Sequence, residues 1–167
     1  MAEAGIAAGA DLINDIWGLK YDPKMAEVIA KGDVACCLMH NRDNSNYAVV
    51  MRWYDETAEC VTLAKAAGIT DDKIILDPGV GFGKTYEQNL ITIKYMDKLK
   101  TLGYPLLLGT SRKSVIGLTL DTPVTDRVLG TAVTTVFAVQ QGYAFVRVHD
   151  IKANKQAIQM TKAIMEA

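Results

Sequence analysis

Side chains that could bind a small ligand stand directly after apolar stretches of this sequence. Asp77 follows the apolar residues 74–76 and precedes Pro78 and glycines at positions 79, 81 and 83. An apolar run without polar alternation is typical of a strand buried on both faces, and Pro78 cannot donate the next ladder hydrogen bond. Because a carboxylate on the inner face of such a strand is unfavourable without a donor, we expect Asp77 to bind a partner that carries donors.

The same arrangement, an apolar run that ends in polar residues, recurs along the chain. Taken alone, Asp77-Pro78-Gly79 is also ordinary turn chemistry, and that alternative stays open. The polar residues that end the five apolar stretches are Asn14, His40, Asp77, Ser111 to Lys113, and Arg147 with His149. Since the carboxyl ends of barrel strands meet on one rim, this row predicts the active face of a (β/α) barrel.

Helical and strand patterns alternate through the sequence. Strands are predicted at residues 10–16, 34–40, 74–77, 105–109 and 144–148, and helices at residues 1–9, 24–31, 54–67, 86–102, 125–141 and 151–166. A helix follows each strand, as right-handed parallel βαβ units require. We therefore predict an α/β fold of the TIM (β/α)8-barrel type in one domain, residues 1–167. An open doubly wound sheet is the structural alternative.

The number of units is too small for a closed barrel. An eight-stranded barrel takes about 200–250 residues or more, whereas this sequence has 167 residues and begins inside a predicted helix. We therefore expect a partial barrel with about five parallel strands, in which roughly three N-terminal βα units are absent.

Composition restricts the class of protein. Half of the residues are hydrophobic and the formal net charge is −1. One globular domain with a packed core is therefore expected, and binding to nucleic acid or membranes is not. The three cysteines, Cys36, Cys37 and Cys60, are an odd number, and they lack the spacing of a zinc site. We expect reduced, buried thiols in a cytoplasmic protein.

Three motifs occur in a fixed order along the chain, and together they identify a protein family far more specifically than any one of them. They are Ile-Leu-Asp-Pro-Gly-Val-Gly-Phe-Gly-Lys at 75–84, Leu-Gly-Thr-Ser-Arg-Lys-Ser at 108–114 and Val-Arg-Val-His-Asp at 146–150. Together they resemble the motifs of the dihydropteroate synthases, pterin-binding TIM-barrel enzymes of folate biosynthesis and the targets of sulfonamides. Residues 13–18 and 38–41 are similar to that family as well. The resemblance covers essentially the whole chain, from the fourth strand of the family's barrel onward.

The resemblance implies a reaction and a role for each matching residue. The family condenses 6-hydroxymethyl-7,8-dihydropterin pyrophosphate with p-aminobenzoate to give 7,8-dihydropteroate and pyrophosphate. Carried over to this sequence, the pterin would contact Asn14, Met39, Asp77, Phe82, Lys113 and Arg147, and p-aminobenzoate would contact Ser114. Pyrophosphate would contact Arg147 and His149. Lys113, Arg147 and His149 are the residues that the resemblance implies in catalysis, which rests on positioning and charge stabilisation.

The chemistry of these side chains suits those roles. A carboxylate such as Asp77 accepts a pair of donors, like the amino group and ring N–H of a pterin, in a charge-assisted way. Arg147 and His149 are two residues apart and are predicted to share a strand face, where a planar guanidinium matches phosphate oxygens. Structural alternatives exist for both. Arg147 could pair with Asp150 or Asp15, and His149 could be a hydrogen-bonded structural histidine.

The sequence alone does not fix the roles of Lys113 and His40. Lys113 taken alone would be a solvated surface lysine. His40 is left out of the predicted site, because nothing in the sequence determines where its ring points.

The resemblance also carries expectations about cofactors and partners. The family uses Mg²⁺, and the implied ligand lies in N-terminal strands that this sequence does not match, so no metal ligand is named here. The expected partners are the small-molecule substrates and a second copy of the chain in a homodimer.

Two other functions remain open at this stage. One is a pterin-binding module related to the methyltetrahydrofolate:corrinoid methyltransferases, which has no use for pyrophosphate. The motifs at 111–114 and 147–150 argue against it. The other is a truncated, non-catalytic fragment of a synthase.

Overall fold

A computed structural model describes residues 1–46 and 52–167. In these residues parallel strands alternate with helices, as predicted. The strands are β1 Leu12–Asp15, β2 Ala35–Met39, β3 Ile74–Asp77, β4 Leu107–Leu108 and β5 Phe145–Val146. The helices are α1 Ala2–Ala7, α2 Met25–Gly32, α3 Arg52–Ala66, α4 Tyr86–Lys94, α5 Ser114–Leu120, α6 Val128–Gln140 and α7 Ile151–Met165. Short 3-10 turns cover Asp71–Lys73, Met96–Leu102 and Val124–Asp126.

The strands lie side by side in the order in which they occur in the chain. β1, β2 and β3 form one parallel sheet, and β4 pairs with β5 in parallel. A parallel bridge between Leu76 and Leu106 joins the two sheets. A doubly wound sheet reverses its strand order at a switch point, whereas a barrel keeps the order sequential. The sequential order confirms a partial (β/α) barrel and excludes the doubly wound alternative.

Alternation along the strands separates a helix-facing side from an inner side. Cys36, Leu38, Ile74 and Leu76 belong to the core that packs against the helices. The intervening residues therefore face inward. In the register of β2 and β3, Met39 stands opposite Asp77, so the last residues of both strands lie together at the rim.

The predicted single helix at 86–102 is wrong in its second half. α4 ends at Lys94, and a 3-10 helix follows over Met96–Leu102 before Gly103 adopts a left-handed conformation with φ of 85°. Side chains three residues apart eclipse in a 3-10 helix. The tighter winding therefore turns Met96 and Leu99, both fully buried, and Leu102 toward the core.

The last two strands are shorter than predicted, with two residues each in the assigned ladders. Hydrogen bonds extend the pairing slightly, from the Arg147 N–H to the Leu108 carbonyl at 2.9 Å. Across residues 1–46 and 52–167, no helix is long and apolar enough to cross a membrane.

Candidate active site

Three of the predicted site residues meet at the rim although they come from different strands. The Asp77 carboxylate, 1% exposed, accepts hydrogen bonds from the Gly79 N–H at 2.8 Å and from Arg147 Nη2 at 3.1 Å. Arg147 Nη1 donates to Asn14 Oδ1 at 2.7 Å, across 133 positions of sequence. We call Asn14, Asp77 and Arg147 the rim cluster.

Asp77 is a buried carboxylate with one donor on each oxygen, the Gly79 N–H on Oδ1 and Arg147 Nη2 on Oδ2. Burial raises the pKa of Asp77, because desolvation disfavours the charged form. The Gly79 N–H and the cations of Lys113 and Arg147 act in the opposite direction. Each additional charge-assisted donor that reaches Asp77 therefore stabilises the ionised carboxylate.

Lys113 lies between the glycine-rich loop and the rim cluster. Its ammonium group donates to the Val80 carbonyl and stands 4.5 Å from the centre of the Phe82 ring. Burial lowers the pKa of Lys113 to about 8, while the Asp77 carboxylate opposes that shift. A Cβ at Gly81 would come within 2.9 Å of the Lys113 side chain, and the φ of 84° there also requires glycine.

Two further residues of the predicted site, Met39 and Ser114, lie at the end of β2 and at the start of α5. Met39 is fully buried at the end of β2. A Cβ at Gly79 would lie 3.3 Å from Met39 and only 1.8 Å from the His40 carbonyl oxygen, so glycine lets the two strand ends approach. Ser114 is exposed and begins α5, directly after Lys113.

The prediction that Arg147 and His149 share a strand face is wrong, because β5 ends at Val146 and both residues lie beyond the strand. Ser111 positions the histidine instead. The Ser111 hydroxyl oxygen accepts the His149 backbone N–H at 3.0 Å and contacts ring Nδ1 at 2.9 Å. A contact to the neighbouring strand end, and not strand alternation, therefore sets the ring of His149.

The structural alternatives for Arg147 are also wrong. Asp150 forms a bidentate pair with Arg112, at 3.0 and 2.6 Å. The Asp15 carboxylate accepts the backbone N–H groups of residues 17 and 19. Arg147 instead faces Asp77 and Asn14, and 45% of its side chain is exposed.

Sequence reasoning missed a second polar cluster, buried next to the first. His40, 2% exposed, contacts Glu56 Oε2 through Nε2 at 2.9 Å and Lys84 Nζ through Nδ1 at 2.8 Å. Burial, reinforced by Lys84, lowers the pKa of His40 to about 4, so the ring is neutral at pH 7. The network assigns the proton to Nε2, which donates to Glu56, and leaves Nδ1 to accept from Lys84. We call His40, Glu56 and Lys84 the buried relay.

Two signals in the sequence point to the buried relay. Lys84 closes the glycine-rich motif, where the backbone carbonyls of the loop offer acceptors to a cation. Glu56 lies on the face of α3 that also buries Trp53 and Cys60, three and four residues away. A carboxylate on an apolar helix face predicts a buried partner.

The described residues do not make a magnesium site by themselves. Residues 1–46 and 52–167 hold no group of three or more His, Cys, Asp or Glu side chains that could bind a metal ion.

A separate apolar groove of about 700 Å³ lies among helices α4, α5 and α6. None of the strand-end side chains lines it. Its walls are aliphatic and aromatic, with Leu90, Leu129, Val133 and Phe137 among them. The groove therefore has no groups for the chemistry of the rim.

Comparison with known proteins gives the same family on sequence and on structure. The model of the pterin binding enzymes matches residues 1–149. Dihydropteroate synthase of Clostridium beijerinckii is 54% identical over 99% of this chain and 62% of its own length. That of Bacillus subtilis is 44% identical over 99% of this chain and 58% of its own. The chain thus spans about three fifths of the length of these curated relatives.

Solved structures agree. Dihydropteroate synthase from Clostridium difficile, crystallised in the presence of pteroic acid, superimposes with a TM-score of 0.94 at 45% identity over 98% of this chain and 63% of that one. The Yersinia pestis enzyme with a pterine-sulfa conjugate gives 0.93 at 36% identity, over 99% of this chain and 65% of that one. The family model matches residues 1–149 of the chain, and the motif residues lie together on the barrel rim. This chain therefore belongs to the family of pterin-binding enzymes.

Proposed function

We propose that this protein acts as a dihydropteroate synthase, which joins 6-hydroxymethyl-7,8-dihydropterin pyrophosphate to p-aminobenzoate. The observation that carries the proposal is the pairing of buried Asp77 with the guanidinium of Arg147. A guanidinium edge offers the same pair of neighbouring N–H donors as the amino group and ring N–H of a pterin. Arg147 occupies Asp77 with one of these N–H donors and Asn14 with the other, so a pterin edge that replaces the guanidinium would bring its full donor pair to the carboxylate.

Binding of the pterin then exchanges one donor edge for another. The pterin takes the Asp77 carboxylate, and Arg147, whose side chain is 45% exposed, moves off it. Asn14 offers both a donor and an acceptor to a further edge of the ring. Lys113 reaches the acceptor edge, and Met39 and Phe82 supply apolar contacts. The neutral pterin does not replace the charge of Arg147, so Lys113 would remain as the cation that opposes the Asp77 carboxylate.

The released Arg147 binds the leaving group. A guanidinium matches two phosphate oxygens at once, and His149 adds a donor from the neighbouring loop. The bond between the pterin methylene carbon and the pyrophosphate oxygen breaks, and its electron pair leaves with pyrophosphate. The arylamine of p-aminobenzoate forms the new C–N bond and loses a proton. In this mechanism Lys113, Arg147 and His149 stabilise charge, and none of them forms a covalent intermediate.

The second substrate reaches the carbon from the side of α5. Ser114, the first residue of that helix, would bind the p-aminobenzoate carboxylate through its hydroxyl. This arrangement orients the amine toward the methylene carbon, and the rate gain comes from positioning.

We further propose that the protein uses magnesium, forms a homodimer and is cytoplasmic. Magnesium, a family expectation, would accompany pyrophosphate with its protein ligand outside the residues described here. The apolar groove and the exposed Leu129, Val133 and Phe137 of α6 support a homodimer interface. A sedimenting monomer at micromolar concentration would contradict the dimer. Three buried free cysteines support a cytoplasmic location.

The decisive experiment is calorimetric titration of the 167-residue chain with pteroic acid and with pyrophosphate separately. Binding of both is expected, with Asp77→Asn weakening pteroic acid and Arg147→Ala weakening pyrophosphate. Binding of a pterin without any binding of pyrophosphate would instead support the methyltransferase-related module. Binding of both ligands without turnover in an assay of pyrophosphate release would support the non-catalytic fragment.

A further inference from the structure

The loop between β3 and α4, residues 79–84, has an unusual backbone. Gly79, Gly81 and Gly83 all adopt left-handed conformations, with φ of 67°, 84° and 54°. Within the loop the Gly79 carbonyl accepts the Phe82 N–H at 3.1 Å in a turn, and the remaining acceptor capacity of the loop carbonyls needs partners from elsewhere. This loop also carries Val80 and Phe82, the two residues that contact Lys113.

Lys84 supplies those partners from inside the protein. Its ammonium group donates to the carbonyl of Gly79 at 2.8 Å, to the carbonyl of Phe82 at 3.2 Å and to His40 Nδ1 at 2.8 Å. An ammonium has three N–H donors, so these three acceptors use all of them. Lys84 thereby ties the beginning of the loop to its end and both to the rim of β2.

The remainder of the buried relay keeps the Lys84 ammonium in this place. The neutral ring of His40 links Lys84 to Glu56, since Nε2 contacts Glu56 Oε2 at 2.9 Å. Glu56 is only 8% exposed and also pairs with Arg52 at 2.9 Å and Arg42 at 3.2 Å. The carboxylate is thus held by several donors, which orients the imidazole and through it Lys84.

We infer that Lys84 is a positioning residue for the ligand site, which acts through the 79–84 loop to hold Val80 and Phe82 against Lys113. Lys84 itself touches no residue of the rim cluster by hydrogen bond among those described. Its hold on the ligand site runs through the backbone carbonyls it binds, and its charge acts in addition on Asp77 and Lys113. The effect on ligand affinity rests on the proposed function, whereas the effect on Lys113 does not.

The test compares Lys84→Met with Lys65→Met, which removes a lysine that pairs with Asp71 on the surface. The first readout is the titration of Lys113, followed through its ¹³Cε resonance. Loosening of the loop hydrates Lys113, so its midpoint should rise from about 8 toward about 10.4, the value of a solvated lysine. The second readout is the dissociation constant of pteroic acid, which should rise about tenfold. Lys65→Met should change neither.

A pair of His40 variants separates positioning from the loss of a nearby charge. His40→Leu keeps the Lys84 ammonium but removes its acceptor, and we expect it to shift the Lys113 midpoint as Lys84→Met does. His40→Gln offers an amide oxygen to Lys84 and an N–H to Glu56, and it should restore the wild-type titration and affinity. If Lys84→Met does not fold, the comparison of His40→Leu with His40→Gln alone decides whether Lys84 positions the loop.

Two outcomes overturn the inference: an unchanged Lys113 midpoint in folded Lys84→Met, or identical behaviour of His40→Leu and His40→Gln. A wild-type chain that does not bind pteroic acid would overturn the proposed function instead. In that case the Lys113 titration still decides whether Lys84 positions the loop.

Discussion

The rim cluster and the buried relay are neighbours built from the same kinds of groups, and they differ in their access to water. Each contains one carboxylate, one cationic side chain and one neutral polar side chain. In the rim cluster Asp77 is buried, but Asn14 is exposed and 45% of the Arg147 side chain is in contact with water. In the buried relay, His40 and Glu56 are 2% and 8% exposed, and Lys84 is enclosed by backbone carbonyls.

The difference teaches which contacts a ligand can replace. An exposed guanidinium loses little when it moves into water, so a ligand can displace it. A buried ion pair that loses one partner leaves an uncompensated charge, which costs several kcal/mol. Substitutions in the rim cluster should therefore change binding, whereas substitutions in the buried relay should change stability as well as loop geometry.

The largest effect is expected from Glu56→Ala. Removal of this carboxylate leaves the Lys84 and His40 pair without its anion, and the free energy of unfolding should fall by about 3 kcal/mol. Urea unfolding at pH 7 measures it. Glu59→Ala is the matched control on the same helix, because the Glu59 side chain is 57% exposed in its pair with Lys20, and it should cost less than about 1 kcal/mol. If Glu56→Ala and Glu59→Ala lower the free energy of unfolding equally, burial of Glu56 does not set the buried relay apart from exposed ion pairs.

Asp77→Asn should affect binding without lowering stability. Pteroic acid affinity should weaken by roughly 1.5–3 kcal/mol, the scale of hydrogen bonds to a charged group. Calorimetry measures it, with Asp71→Asn as control, since Asp71 is exposed at the opposite end of β3. An unchanged dissociation constant in the folded variant would remove Asp77 from the site.

The stability of that variant follows from the raised pKa of Asp77. A group whose pKa is higher in the folded state contributes fully below its unfolded pKa, and the contribution is lost as pH rises through the folded pKa. Asp77 therefore costs stability at neutral pH, and Asp77→Asn should unfold at an equal or higher urea concentration at pH 7. A lower midpoint would mean that Asp77 has a structural role like that of Glu56.

Arg147→Lys should have a smaller effect, specific to the anion. The charge is retained but the planar pair of donors is lost, so pyrophosphate affinity should fall about tenfold, or about 1.4 kcal/mol. Arg52→Lys, at another half-exposed arginine, is the control and should leave pyrophosphate binding unchanged. Full retention of affinity in Arg147→Ala would show that the anion binds elsewhere.

The smallest expected effect is a pH dependence that originates in the buried relay. Burial lowers the pKa of Lys84 to about 7, so the unfolded chain binds more protons than the folded one between that value and about 10.4. Stability therefore rises with pH across this window. Relative to Lys84→Met, the wild type should gain about 1 kcal/mol between pH 7 and pH 8. Parallel stability curves for the two proteins would contradict the lowered pKa.

Much of the rim could be predicted from local pattern. Apolar runs that end in Asp77, Arg147 and Asn14 mark strand ends, and parallel strands bring such ends to one edge whatever the details of packing. The error at His149 has a local cause. The prediction extended strand alternation past Val146, where β5 ends and a contact with Ser111 determines the ring position.

By itself the sequence determined the alternation of strands and helices, the polar residue at each strand end and the three motifs of the family, because periodicity and side-chain chemistry act over a few residues. Only the tertiary structure decided which charges meet. Arg147 reaches Asn14 and Asp77 because the strands lie in sequential order around a curved sheet. Lys84 meets His40 and Glu56 because β2, α3 and the glycine-rich loop pack together. Such pairings depend on strand register and helix packing, which join distant residues and leave no periodic trace in the sequence.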